Sequence, residues 1–132
     1  MSESATIYVV DDEPGMVKAL TRLLTSEGFA VRGFTSATDL LEAVSDSEPG
    51  CLVLDVAMPG IDGLEVQKLL AGHGVTLPIV FLTGHGDIPM SVRAIKAGAV
   101  DFLTKPVERD DLVRAVRTAL KRSDELRLDN EP

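Results

Sequence analysis

The chain has no tryptophan, and its aromatic content is only 4%. Its core must therefore be aliphatic and its surface poor in stacking platforms. It has one cysteine, Cys51, so no internal disulfide is possible. Cys51 lies in an apolar run and is expected to be buried and inert. Basic residues are in short supply, with 13 Lys and Arg against 21 Asp and Glu and a net charge of -8. Phosphate contacts need clustered Lys and Arg, so direct binding of nucleic acid is disfavoured. No apolar run approaches the length of a bilayer span, and no stretch near the N-terminus resembles a signal peptide. The expected location is cytoplasmic, with no membrane partner.

What is present fits one compact domain: 132 residues, of which 45% are hydrophobic. Ile7–Val10 is a short β-branched run of the kind that forms a strand covered on both faces. Asp11, Asp12 and Glu13 follow, then Pro14, which suits the first turn of a helix. Val17, Leu20, Leu23 and Leu24 recur at helical spacing, and Gly28 makes a stop. Phe29–Phe34 reads as a weaker strand near a sheet edge. Ser36 or Thr38 is placed to cap a helix carrying Leu40, Leu41 and Val44.

A third strand runs through Cys51–Leu54 into Asp55, and Pro59, Gly60 and Gly63 turn the chain at once. Asp62 caps a helix with Leu64, Leu69 and Leu70 inward. A fourth strand, Ile79–Leu82, ends in Thr83, and a helix is expected over Asp87–Ala97 with a thin apolar stripe of Ile88, Val92 and Ile95. Phe102 and Leu103 mark a short fifth strand ending at Thr104, Lys105 and Pro106. The last helix presents Leu112, Val113, Val116 and Leu120, and Arg122–Pro132 reads as a frayed extension or linker. Strands alternating with amphipathic helices at intervals of about 20–25 residues predict a doubly wound α/β domain with a five-stranded parallel sheet.

Four of these strands end in a polar residue: Asp11 with Asp12, Asp55, Thr83 and Lys105. In a parallel sheet all four ends share one edge, where sites form. Each residue alone has an ordinary explanation: an Asp after a strand is commonly a turn former or cap. Their coincidence at separate strand ends points to a crevice. Two carboxylates at about 4 Å repel by roughly 4 kcal/mol at an effective dielectric near 20. Either some are protonated or a cation sits among them. Hard oxygen ligands without Cys or His favour Mg²⁺. A carboxylate beside Mg²⁺, with a lysine and a threonine to receive oxyanions, suits phosphoryl transfer onto the carboxylate.

The segments VVDDE at Val9–Glu13, LDVAMPGIDG at Leu54–Gly63, LTGHGD at Leu82–Asp87 and DFLTKP at Asp101–Pro106 resemble the receiver domain of two-component response regulators. The likeness runs from about Ile7 to Leu120, and the wording LTGHGDIPMSVRAIKAGAVDFLTKP resembles the FixJ-type subgroup. The resemblance implies a flavodoxin-like fold with strand order 2-1-3-4-5. It makes Asp55 the acceptor of a phosphoryl group from a sensor histidine kinase. Asp12, Asp55 and the Ala57 carbonyl would ligate Mg²⁺, and Asp11 would hold it through water. Lys105 would pair with the phosphoryl oxygens, Thr83 would swing to hydrogen-bond them, and Phe102 would turn inward as the switch aromatic. Lys105–Pro106 looks like the family's cis peptide. An ordinary core role is the alternative for Phe102; His85 reads as a loop residue flanking the site, and His73 as solvent-facing.

The implied role is a phosphorylated signalling switch rather than a conventional enzyme, with phosphorylation-dependent homodimerisation, or release of a downstream domain, as output. Residues 1–122 would be the receiver and 123–132 a tail or the start of a linker. Members of the subgroup carry a helix-turn-helix domain after the receiver, through which alone DNA would be contacted to control transcription. The competing function is a Mg²⁺-dependent phosphatase with an aspartyl-phosphate intermediate. That chemistry needs an acid two residues beyond the nucleophile, where this chain has Ala57. No phosphate-binding glycine motif follows the first strand, which disfavours a nucleotide-binding enzyme.

Overall fold

The computed structural model describes residues 5–44, 49–58, 60–84 and 88–130. Five strands, β1 (Thr6–Val10), β2 (Ala30–Phe34), β3 (Gly50–Asp55), β4 (Ile79–Thr83) and β5 (Asp101–Thr104), alternate with five helices. The helices are α1 (Pro14–Ser26), α2 (Ala37–Ala43), α3 (Gly63–Gly72), α4 (Ile88–Lys96) and α5 (Arg109–Asn130). All strand pairs are parallel and the order is β2-β1-β3-β4-β5. This is the doubly wound, flavodoxin-like arrangement that the sequence implied.

The unbroken apolar runs of β1, β3 and β4 are explained by helices on both faces of the sheet. Tyr8, Val10, Leu52, Leu54 and Phe81 point to one face, where they meet Leu40 of α2, Val66 and Leu70 of α3, and Ala94 of α4. Ile7, Val9, Cys51, Val53, Val80 and Leu82 point to the other, against Leu20 and Leu24 of α1 and Leu112, Val116 and Ala119 of α5. The period of two along a strand divides one run between two cores. Cys51 is fully buried, and burial pushes its thiol pKa up to about 12, so it packs as a small hydrophobe.

Local signals set most helix starts. Pro14 occupies the first turn of α1. Ser36 caps α2, accepting a hydrogen bond from the Asp39 N–H at 3.1 Å. Asp62 accepts from the Glu65 N–H at 2.8 Å while Glu65 accepts from the Asp62 N–H at 3.2 Å, a reciprocal capping box that opens α3 beside the end of β3.

Three details differ from the sequence-based expectation. β2 begins at Ala30 rather than Phe29. Leu69 is 39% exposed, and the inward face of α3 is instead formed by Val66, Gln67 and Leu70. The i, i+4 pair 66 and 70 shares the buried stripe, which turns Leu69 outward. Finally, α5 continues as one helix through the expected fray to Asn130, with Ser123 buried and its Oγ accepting the Gly50 N–H at 3.1 Å. Within the expected stripe of α4, Val92 and Ile95 are exposed, and the side chain of Ile88 lies outside the described residues. Among the described residues no helix is long and apolar enough to cross a membrane.

Candidate functional site

Register alone brings the acids together. Val10 pairs with Leu54, so the next residues, Asp11 and Asp55, stand side by side where two parallel strands leave the sheet. Neighbouring strands are about 4.8 Å apart. Asp12 follows on the exposed rim, and one carboxylate oxygen from each of Asp11, Asp12 and Asp55 lies within 4.8 Å of the others. Asp55 pairs with Leu82, which puts Thr83 one step further along the next strand, and Thr83 pairs with Thr104, just before Lys105. Lys105 N–H donates to the Thr83 carbonyl at 2.7 Å, extending the ladder past the formal end of β5. The Lys105–Pro106 bond is cis, as the resemblance implied.

The site has a buried floor and an open rim. Asp11 is fully buried, Asp55 is 5% exposed and Thr83 is 4% exposed, whereas Asp12 is exposed. Lys105 Nζ donates to Asp11 Oδ2 at 2.8 Å and lies 3.8 Å from Asp55 Oδ2. Asp11 Oδ1 accepts the Glu13 N–H at 3.0 Å, which fixes the start of the loop into α1. Asp55 Oδ1 accepts the Ala57 N–H at 3.3 Å, which orients the carboxylate at the mouth of the loop.

Burial is the largest influence on Asp55, and it pushes the carboxyl pKa above its ordinary value. The charges of Asp11 and Asp12 act in the same direction, against the Ala57 N–H bond and the charge of Lys105. For Lys105 burial alone acts downward. The hydrogen bond to Asp11 and the charges of Asp11, Asp55 and Glu13 outweigh it, and the ammonium is held above the usual lysine value. At pH 7 the site is thus a cation next to two buried acids and one exposed acid. Two of those carboxylate charges 4.8 Å apart repel by roughly 3–4 kcal/mol at an effective dielectric near 20. Lys105 relieves part of this excess, chiefly for Asp11.

The donor set fits a hard divalent cation. Asp11, Asp12 and Asp55 offer three oxygens at mutual distances compatible with one ion, and the site opens to solvent at Asp12, which leaves room for retained waters. No sulfur or imidazole ligand is near it among the described residues.

Phe102 sits half-buried on β5 with its ring 6.0 Å from that of Phe81, tilted by 44°. It therefore belongs to the margin of the core that α4 covers. His73 is exposed at the end of α3, with Nδ1 2.8 Å from the Leu69 carbonyl oxygen, far in sequence from the acid cluster and not part of it. His85, expected to flank the site, lies outside the described residues. Glu13, at the N-cap position of α1, makes no side-chain capping bond.

Two features of the site were not read from the sequence. Gly63 packs so tightly behind Asp55 that a Cβ there would stand 2.7 Å from Phe81 Cε1 and 3.1 Å from the Asp55 carbonyl oxygen. Its N–H also donates to the Val56 carbonyl at 2.8 Å, closing the loop that leaves Asp55. The second feature is the preference of Lys105 for Asp11. The sequence marked Gly63 only as a turn residue in the segment after Asp55, next to the helix cap Asp62, and no local signal exists for the lysine's partner.

The chain is similar to known proteins in sequence and in fold. Residues 7–117 match the family described as response regulator receiver domain. Response regulator protein TmoT of Ectopseudomonas mendocina is 52% identical over 119 residues, which cover 90% of this chain and 54% of that protein. Transcriptional regulatory protein FixJ of Azorhizobium caulinodans is 45% identical over 125 residues, covering 95% of this chain and 59% of that one. The chain thus spans about half the length of these relatives. Among solved structures, response regulator StyR superposes with a TM-score of 0.91 at 45% identity, over 96% of this chain and 64% of that one. The structure titled FixJ-N superposes with a TM-score of 0.84 at 40% identity, over 92% of this chain and 96% of that one. With its fold, its motif order and these relatives in agreement, the chain belongs to the response regulator receiver family and is FixJ-like within it.

Proposed function

We propose that this receiver is a cytoplasmic phospho-switch in which Asp55 takes a phosphoryl group from the phosphohistidine of a sensor histidine kinase. The observation that carries the reading is the convergence of Asp11, Asp12, Asp55 and Lys105 at one sheet edge, with Lys105 held closer to Asp11 than to Asp55. A carboxylate oxygen of Asp55 would attack phosphorus in line with the departing histidine nitrogen. The P–N bond breaks as an acyl phosphate forms, and the freed imidazole takes up a proton. In this step the protein's work is placement and charge neutralisation. Asp12, Asp55 and the Ala57 carbonyl would hold Mg²⁺ with Asp11 assisting through water; the ion supplies neutralisation of the acids and of the phosphoryl oxygens. Lys105 would leave Asp11 for a phosphoryl oxygen, and Thr83, at the end of the adjoining strand, would hydrogen-bond another. Phe102 would follow Thr83 inward, altering the surface of α4, β5 and α5 and favouring a homodimer.

The relatives' names, and the fact that the chain spans about half their length, support a role in transcription through a helix-turn-helix domain that follows the receiver, with residues 123–130 continuing α5 toward it. Hydrolysis of the acyl phosphate would make the protein its own off-switch, without the acid at position 57 that a dedicated phosphatase needs.

Acetyl phosphate with Mg²⁺ is the test. Intact mass should show one added phosphoryl group, absent from Asp55→Asn and absent in excess EDTA. Labelling that survives Asp55→Asn would move the acceptor elsewhere, and full labelling in EDTA would remove the metal from the scheme.

A further inference from the structure

The end of the sheet opposite Asp55 holds a second concave site, whose residues the phosphoacceptor chemistry does not use. Below the first residue of β4, a cleft of about 380 Å³ opens between the last turns of α3 and α4 and the outer part of α5. This volume falls near the lower end of the range for small-molecule sites. Its bed is aliphatic, formed by Leu70, Val75, Leu77 and Ile79, and among the described residues no aromatic ring lines it. Gln67, buried at one side, donates Nε2 to the Ala94 carbonyl at 3.4 Å and ties α3 to α4 across the cleft.

Among the described residues Arg122 is the only charged one of the lining. Its guanidinium donates a long hydrogen bond, 3.4 Å from Nη1 to the Gly98 carbonyl, which is weak by geometry. The side chain is exposed on an otherwise strongly acidic molecule. An aliphatic trough with a single guanidinium at its rim is complementary to an apolar tail bearing one planar anion. The fork of Arg matches a carboxylate in two parallel hydrogen bonds.

We propose that this cleft binds a small aliphatic carboxylate, its chain on Leu70, Val75, Leu77 and Ile79 and its head on Arg122. The neighbouring groove of about 300 Å³ between α3 and α4 is a poorer candidate, because Asp62, Glu65, Lys68 and Arg93 line it with charges of both signs. The cleft sits about 13 Å from Thr83 along β4, four residues at about 3.3 Å each, so its occupation is separable from phosphorylation.

Hexanoate is the probe, titrated into the unphosphorylated 132-residue chain while backbone amide shifts are followed at about 0.15 M salt, where long-range repulsion is screened. Saturable shifts are expected at Val75, Thr76 and Gly98, half-complete at roughly 1–10 mM. Arg122→Gln, an exposed substitution that leaves the core intact, should weaken binding about threefold to fivefold, and hexan-1-ol should bind the original chain similarly weakly. Three outcomes would overturn the site: no saturable shift, equal affinity in Arg122→Gln, or shifts centred on Lys105 and Asp55 instead of the cleft.

Discussion

Lys105 is closer to Asp11 than to Asp55: its ammonium lies 2.8 Å from an oxygen of the former and 3.8 Å from one of the latter. The fully buried acid thus holds the stronger claim on the cation, and the acid proposed to receive phosphorus is left the freer of the two. That asymmetry gives the unphosphorylated site its resting arrangement.

Removing the lysine should expose that arrangement. Lys105→Ala leaves Asp11 buried beside Asp55 without its counter-ion, and the metal-free protein should lose about 1–3 kcal/mol of stability. Mg²⁺ should recover part of the loss by supplying the missing positive charge. Urea melts of both proteins, with and without Mg²⁺, measure the two differences. A loss that is the same in EDTA and in Mg²⁺ would contradict a metal held at these acids.

The raised pKa of Asp55 carries a sign for stability. The folded protein binds this proton more tightly than the unfolded chain does. The residue's favourable contribution is therefore fully present below the ordinary value of 3.8 and is lost as pH rises through the raised folded-state value. Asparagine keeps the shape and an acceptor for the Ala57 N–H but does not ionise. In EDTA, Asp55→Asn should accordingly be the more stable protein at pH 7, with the difference shrinking as pH falls toward 4. Thermal melts across that interval decide it; a less stable Asp55→Asn at pH 7 would show that the carboxylate is not under electrostatic strain.

Gly63→Ala tests the packing behind the acceptor. The new methyl would meet Phe81 Cε1 at 2.7 Å, Val56 Cα at 3.0 Å and the Asp55 carbonyl at 3.1 Å. Two of those neighbours are backbone, which yields less readily than a side chain. Overpacking of this kind costs about 1–3 kcal/mol. Because the displaced backbone carries Asp55, labelling by acetyl phosphate should slow as well. Denaturant titration and labelling rates together separate a local shift from general unfolding.

Ser123→Ala tests the outer part of α5. The Gly50 N–H that Ser123 satisfies begins the strand that ends at Asp55, and the bond is buried. Its loss should cost about 1–3 kcal/mol, the usual penalty for orphaning a buried donor. Amide exchange at Gly50 should accelerate in the variant. Unchanged exchange and stability would show that the helix beyond residue 122 contributes nothing to the domain.

Much of this was legible in the chain itself, for physical reasons. The βα rhythm is visible because a strand covered on both faces needs an unbroken apolar run, and a helix covering it needs a stripe. The caps Ser36 and Asp62 announce themselves because they act within three residues. Even the acid cluster followed from local pattern, since each member terminates a strand and parallel strands end on one side.

Where local pattern was silent or misleading, the deciding contacts were long-range. Leu69 has the hydrophobicity of a core residue, and only the pairing of Val66 with Leu70 against the sheet turned it outward. The charged stretch after Arg122 looked like an end, yet Ser123 is anchored to Gly50, 73 positions away. Sequence by itself determined which side chains stand at the edge of the sheet, because the alternation of strand and helix is a short-range property. Tertiary structure alone decided which of them pair, because the contact between Lys105 and Asp11 joins residues 94 positions apart and depends on strand order and register.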